Sequence, residues 1–287
     1  MAVLRRHGGL PLTNARILYY GDSPTMTDNP PPAMTLPFEL DEAVRHLCAC
    51  DQQMKGLIAE LRPFQIDLQN NHSPYEVLIR AICYQSITRK AAATIYGRII
   101  ALGENGHPPP PEKMSKLPTS TLRKAGLSAA KAASMKDLVK KAAAGIVPTH
   151  KEALKLSDEE LVKRLISVRG IGAWTVEMFL IFRLGRPDVL PVHDLGVKKG
   201  WSVAYGKKHM PTPKELLKFG ERWRPYRTVA SWYMWRAFER AGYAFTKKIR
   251  VRKRRRSKPS KRGGARRNSY GRAVSRTSRN SPANPRS

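Results

Sequence analysis

The chain has 287 residues, and its 53 Lys and Arg against 22 Asp and Glu give a formal charge of +31 at pH 7. Apolar residues make up 41%, enough for a buried core. A mean hydropathy of −0.46, with no apolar run near the ~18–20 residues that cross a bilayer, excludes a membrane span. Three cysteines, Cys48, Cys50 and Cys83, cannot build a disulfide framework, and no Cys/His set has zinc spacing, so no metal centre is expected. These features read as a reduced, intracellular protein, and a pI near 10.6 points to a polyanionic partner.

The charge is unevenly placed. The last acidic residue is Glu239, and 17 of the Lys and Arg lie in residues 247–287 among Ser, Pro and Gly. That segment cannot bury itself and reads as a disordered basic tail over 246–287. Its run 247–256 would add nucleic-acid affinity or, in a eukaryote, act as a nuclear signal. The rest of the chain still carries +14, so the folded part is basic in its own right. Residues 1–37, with Pro30-Pro31-Pro32, read as a flexible start; their arginines only weakly suggest a transit peptide, given Asp22 and Asp28.

Between residues 38 and 245 the pattern is helical. Residues 41–61 place Val44, Leu47, Leu57, Ile58 and Leu61 at near-helical spacing. Ser73-Pro74-Tyr75-Glu76 is a capping box with Pro at the first helical position, and the helix it opens is expected to continue toward Ile99. The segment 107–111, with four prolines, breaks the chain. A short helix over 120–125 ends at Gly126, and Ser128 caps a helix over 129–144 that Gly145 and Pro148 close. Ser157-Asp158-Glu159-Glu160 opens another helix. Gly170-Ile171-Gly172 interrupts it, and a second helix follows over 173–184. Further helices are expected over 195–205 and 226–240. No stretch alternates with period two, so the domain is expected to be all-α.

The connection Val168-Arg169-Gly170-Ile171-Gly172 carries the most information. Two glycines permit positive φ and leave backbone N–H groups uncovered where a helix begins. A helix N-terminus of this kind suits an anion, and for a basic protein that anion would be a DNA phosphate. An ordinary helix–helix turn satisfies the same residues. Asp194, just before Leu195-Gly196-Val197, reads from sequence alone as an N-cap.

VRGIGAWTVEMF, followed about twenty residues later by LPVHDLGVKKGW, resembles the helix-hairpin-helix DNA glycosylase superfamily. AICYQSITRKAAATIYGRI, LRKAGLSAAKAASMKDL and ERWRPYRTVASWYMWR fall in that family's order. Over residues 38–242 the chain looks most like the 3-methyladenine DNA glycosylase II branch. The resemblance implies two helical lobes around a cleft, duplex DNA as partner, and base flipping followed by hydrolysis of the N-glycosidic bond of alkylated purines. It makes Asp194 the catalytic carboxylate, a role compatible with capping. Trp174 and Tyr226 match base-stacking positions, with core packing as the competing reading, and Met178 stands where an aromatic often lines the base pocket. Gly170, Gly172, Lys198 and Lys199 become phosphate contacts, Gln85 matches a glutamine of the family motif, and Ser86 holds the place of its intercalating residue. His193 could support the aspartate or simply face solvent.

Departures from the family pattern narrow the reading. Members that form a Schiff base carry a lysine two places after the second hairpin glycine; here that place is Trp174, so a monofunctional hydrolase is implied. No cysteine follows Cys83, which excludes the iron–sulfur branch, and residues 1–37 are too few for the β-domain some members carry. No cofactor is required, although hairpin carbonyls in the family can hold a monovalent cation. A monomer is expected. Two other readings stay open: a non-catalytic helix-hairpin-helix DNA-binding protein, and a glycosylase for deaminated or oxidised bases.

Overall fold

The computed structural model describes residues 36–61, 63–66, 68 and 73–256, with side chains as far as 242. Among the described residues there are thirteen α-helices and no strand. The flexible start expected over 1–37 lies almost wholly outside this range, as does the tail beyond residue 256.

Capping side chains decide where several helices divide. The single helix expected over 41–61 is two, α1 (Leu40–Cys50) and α2 (Gln52–Glu60). Asp51 accepts from the amides of Gln53 and Met54, which starts a new helix rather than prolonging the old one. The capping box at Ser73 and Glu76 opens α3 (Pro74–Tyr84) as read. That helix stops at Gln85, and Thr88 caps α4 (Arg89–Ile100) by accepting from the Ala91 amide. Residues 85–88 are therefore a loop, with Ser86 at φ 55°. Helix α5 (Pro111–Lys116) begins inside the proline run, because a first helical position needs no N–H.

Helices α6 (Thr119–Lys124) and α7 (Ala129–Ala143) lie where expected, with Ser128 capping α7. Two capping boxes visible in the sequence but not read there, Thr149 with Glu152 and Thr212 with Glu215, open α8 (His150–Lys155) and α12 (Pro213–Gly220). Between them come α9 (Asp158–Ile166), α10 (Ala173–Phe182) and α11 (Leu195–Ala204). A 3-10 turn (Glu221–Trp223) precedes α13 (Arg227–Arg256). The last helix thus runs beyond the residue 240 expected from sequence.

Helix contacts fall into two groups. In the first, α3 packs on α4 and α7, α7 also receives α5 and α6, and α10 packs on both α9 and α3. In the second, α1 packs on α2 and the 3-10 turn, α2 on α11, and α12 on the 3-10 turn. Buried Asp51 ties this second group together: its Oδ2 accepts from the Tyr205 hydroxyl at 2.6 Å and the Trp223 indole at 3.0 Å. Helix α10 is buried on almost every face through Val176, Met178, Phe179, Leu180, Ile181 and Phe182. A helix apolar all round belongs in the middle of a core.

Candidate active site

Asp194 is 5% exposed and lies immediately before α11. Its Oδ1 accepts from the Val197 amide at 2.8 Å, the N-cap bond anticipated from sequence. The same oxygen accepts from the Trp235 indole Nε1 at 2.8 Å, and Oδ2 accepts from the Trp174 indole Nε1, also at 2.8 Å. Three N–H donors from three helices therefore fix one carboxylate. Hydrogen bonds to an ionised acceptor are the stronger class, about 1.5–3 kcal/mol each. Capping and a fixed anion coexist at this residue.

The path to Asp194 is held from the start of α13. Arg227 grips Asp188 with Nε on Oδ1 at 2.6 Å and Nη2 on Oδ2 at 3.0 Å. Thr228 Oγ1 accepts from the Val189 amide at 3.0 Å and donates to the Arg186 carbonyl. Two glycines then let α13 come close to α11. A Cβ on Gly200 would lie 1.8 Å from the Met234 carbonyl oxygen, and one on Gly196 would lie 2.7 Å from Trp235 Cδ1. This Gly196/Gly200 notch is what brings the Trp235 indole onto Asp194. The ring is 2% exposed and stacks on Phe182 at 5.5 Å.

The hairpin follows its sequence pattern with one difference. Gly170 takes φ 77°, but Gly172 is extended at φ −102° and serves as the N-cap of α10. Only Gly170 needs a glycine's backbone freedom. A Cβ on Gly172 would meet nothing within 4 Å, and no side chain caps α10. The positive end of the helix and its first-turn amides are left facing outward, as an anion site requires. The hairpin is propped from two sides: Asp137 of α7 accepts from the Arg169 amide at 2.7 Å, and Gln85 donates to the Gly170 carbonyl at 2.8 Å. Gln85 thereby couples the exposed 85–88 loop, with Ser86 and the 40%-exposed Ile87, to the hairpin.

Other predicted residues are placed differently. Trp174 stands at the Asp194 cluster, half-buried, with its indole N–H on the carboxylate. Met178 is fully buried in the core and offers no surface to a base, because α10 is enclosed on that side. Tyr226 is nearly buried, and its ring neighbours are Phe38 at 6.1 Å and His46 at 5.6 Å rather than members of the Asp194 cluster. Lys198 and Lys199 are partly buried on α11, with Lys199 Nζ 5.2 Å over the Phe238 ring. His193 is exposed. A cavity of about 370 Å³ lies between the start of α3 and the 102–113 segment, and no residue of the Asp194 cluster lines it.

Sequence reading missed Trp235, Asp137 and Glu177. Trp235 sits in an aromatic run of the last helix, and its N–H needs a tertiary partner that no spacing announces. Glu177 lies one turn beyond Trp174; its carboxyl is pushed up to about 7, first by burial and then by the Asp194 charge. Among the described residues no group of His, Cys, Asp and Glu could hold a metal ion, and no described helix is long and apolar enough to cross a membrane.

A buried, triply held carboxylate beside a bare-ended glycine hairpin is a site for an anion and for a developing cation at once. The chain belongs to the HhH-GPD superfamily of base excision DNA repair proteins, whose family model matches residues 79–225. It is 38% identical over 215 residues to DNA-3-methyladenine glycosylase 1 of Schizosaccharomyces pombe, covering 75% of this chain and 93% of that protein. The solved structure of the S. pombe 3-methyladenine DNA glycosylase in complex with abasic DNA superposes with a TM-score of 0.60 at 38% identity, covering 68% of this chain and 95% of that one. A DNA-3-methyladenine glycosidase from Bacillus halodurans superposes at 0.63 with 31% identity, covering 68% and 88%.

Proposed function

We propose that this protein is a monofunctional DNA glycosylase that hydrolyses the N-glycosidic bond of alkylated purines of the 3-methyladenine type in duplex DNA, leaving an abasic site. The observation that carries the reading is Asp194, a carboxylate withdrawn from water and held by two indoles and an amide. Bond cleavage builds positive charge on the deoxyribose, and a fixed anion in a dry site stabilises that oxocarbenium-like state. The same carboxylate can orient the attacking water. Extruding the base costs a few kcal/mol, least for a damaged base. The bare α10 terminus at Gly172 would take a backbone phosphate, and Lys198 and Lys199 on α11 are further candidates for phosphate contact. In the 85–88 loop, Ser86 and Ile87 are exposed and would enter the space the base leaves. Trp174, half-buried against the carboxylate, is the candidate to stack on that base.

Hairpin carbonyls fit a monovalent cation only in part: Val168 O already accepts from Ile171 N and Gly170 O from Gln85, which leaves each a second lone pair. No step above needs that ion or any cofactor. The protein acts as a monomer in this reading. The capping bond to Val197 is also what a non-catalytic DNA-binding relative would need, so activity has to be measured.

Incubation with methylated duplex DNA is expected to release free 3-methyladenine and leave alkali-labile abasic sites, with no borohydride-trapped adduct because Trp174 cannot form an imine. Tight DNA binding with no released base would favour the non-catalytic reading, and a trapped band would end the monofunctional one. Trp235→Phe keeps one aromatic ring of the indole's two and removes the N–H on Asp194 Oδ1. One charge-assisted bond of about 1.5–3 kcal/mol corresponds to a kcat lower by about tenfold or more, with KM unchanged. A rise in KM at constant kcat would make Trp235 a packing residue only.

A further inference from the structure

Glu177 follows Trp174 by three residues on α10, so the two side chains leave the helix on one side. The Trp174 indole is bonded to Asp194 Oδ2, and the Asp194 charge reaches Glu177 as well. Glu177 Oε2 is fully buried and has no hydrogen-bond partner. A buried carboxyl oxygen left unpaired costs stability. Neither the hairpin nor the hold on Asp194 uses this group. Burial, with the neighbouring negative charge, raises the carboxyl to about 7, so near neutrality it is divided between its neutral and ionised forms. Buried, perturbed carboxyls without a structural partner concentrate at functional sites.

We propose that Glu177 is a specificity-determining residue of the base site, reading the charge of the extruded purine. The inference rests on the glycosylase reading above. A purine alkylated on a ring nitrogen brings a positive charge toward two carboxyl groups. That charge favours the ionised form of Glu177, whose proton passes to solvent, and the freed Oε2 gains the partner it lacks in the empty site. A neutral purine supplies no such charge. It meets a protonated carboxyl, or a second carboxylate whose repulsion with Asp194 stays uncompensated. Selection for cationic lesions thus comes from a carboxyl that is costly until a cation arrives. No bond is made or broken at Glu177 apart from that O–H.

Single-turnover base release should be measured on duplexes carrying 7-methylguanine, which is cationic, and hypoxanthine, which is neutral. Glu177→Gln keeps the shape and removes the ionisation. It should slow 7-methylguanine release by about tenfold or more, the scale of one charged contact, while hypoxanthine release is unchanged or faster. Glu177→Asp, which keeps the charge, should retain most of the preference. Equal losses on both substrates, or an unchanged ratio in Glu177→Gln, would overturn the proposal. A wild-type protein that releases neither base would instead overturn the glycosylase reading on which it rests.

Discussion

Asp194→Asn is expected to lower the rate of 3-methyladenine release by at least about 10²–10³-fold, the loss seen when one preorganised electrostatic group is removed from a dry site. Binding to duplex DNA should be kept or slightly tightened, since one negative charge is removed from a DNA-binding face. The substitution also tests the geometry around the carboxylate. Asn is a good N-cap, so the bond from Val197 can survive. The carboxylate, however, accepts N–H donors on both oxygens, from Val197 and Trp235 on one and Trp174 on the other. An amide presents one oxygen and one NH2, so one indole N–H must face another donor. That mismatch is expected to cost about 1–3 kcal/mol of stability, visible as a lower Tm. Base release at the wild-type rate would remove Asp194 from the chemistry. A wild-type Tm would show that the indole bonds do not bear on the fold.

Gly200→Ala is expected to destabilise the protein although alanine is the better helix former. Propensity alone favours Ala over Gly by about 1 kcal/mol in a helix interior. At Gly200 the added methyl would lie 1.8 Å from the Met234 carbonyl oxygen and 2.4 Å from its carbon. Those are backbone atoms, so relief requires α13 to move as a body. Overpacking of this kind costs about 1–3 kcal/mol; against backbone atoms the upper end applies and the steric term wins, for a net loss of up to about 2 kcal/mol. Activity should fall further than stability, because α13 carries Trp235 and its displacement loosens the hold on Asp194. Gly97→Ala is the internal control. Gly97 is exposed in α4 with nothing within 4 Å of a built Cβ, so the same exchange should stabilise by about 1 kcal/mol. Chemical denaturation of the two variants checks the opposite signs. Equal gains in both would show that the α11–α13 contact is not tight.

Much of the helical layout was legible because its signals are local. Ser73, Ser128 and Ser157 cap the helices they were expected to cap, and Gly126 ends one at φ 107°. Where the reading joined helices that are separate, the reason is equally local: Asp51 and Thr88 divert their side chains to first-turn amides, and apolar periodicity does not register that diversion. The capping boxes at Thr149 and Thr212 were readable by the same rule and went unread.

The hairpin and the aspartate were legible as a pattern, and Gly172 shows the limit of that legibility. Sequence reading gave both hairpin glycines the same task; the backbone assigns positive φ to Gly170 alone and leaves Gly172 bare toward solvent. Met178 and Tyr226 were placed by resemblance, and their surroundings are core and the N-terminal helix.

From residue order alone came the all-helical class, the glycine hairpin, the position of Asp194 and its capping bond, since each depends on residues within a few places of one another. Tertiary structure alone decided that two indoles from α10 and α13 share that carboxylate, that Gly196 and Gly200 admit the second of them, and that Glu177 is buried within reach of the same charge. Trp174 and Trp235 lie 20 and 41 residues from Asp194. A hydrogen bond across such a separation is set by how helices cross, which spacing along one helix does not encode.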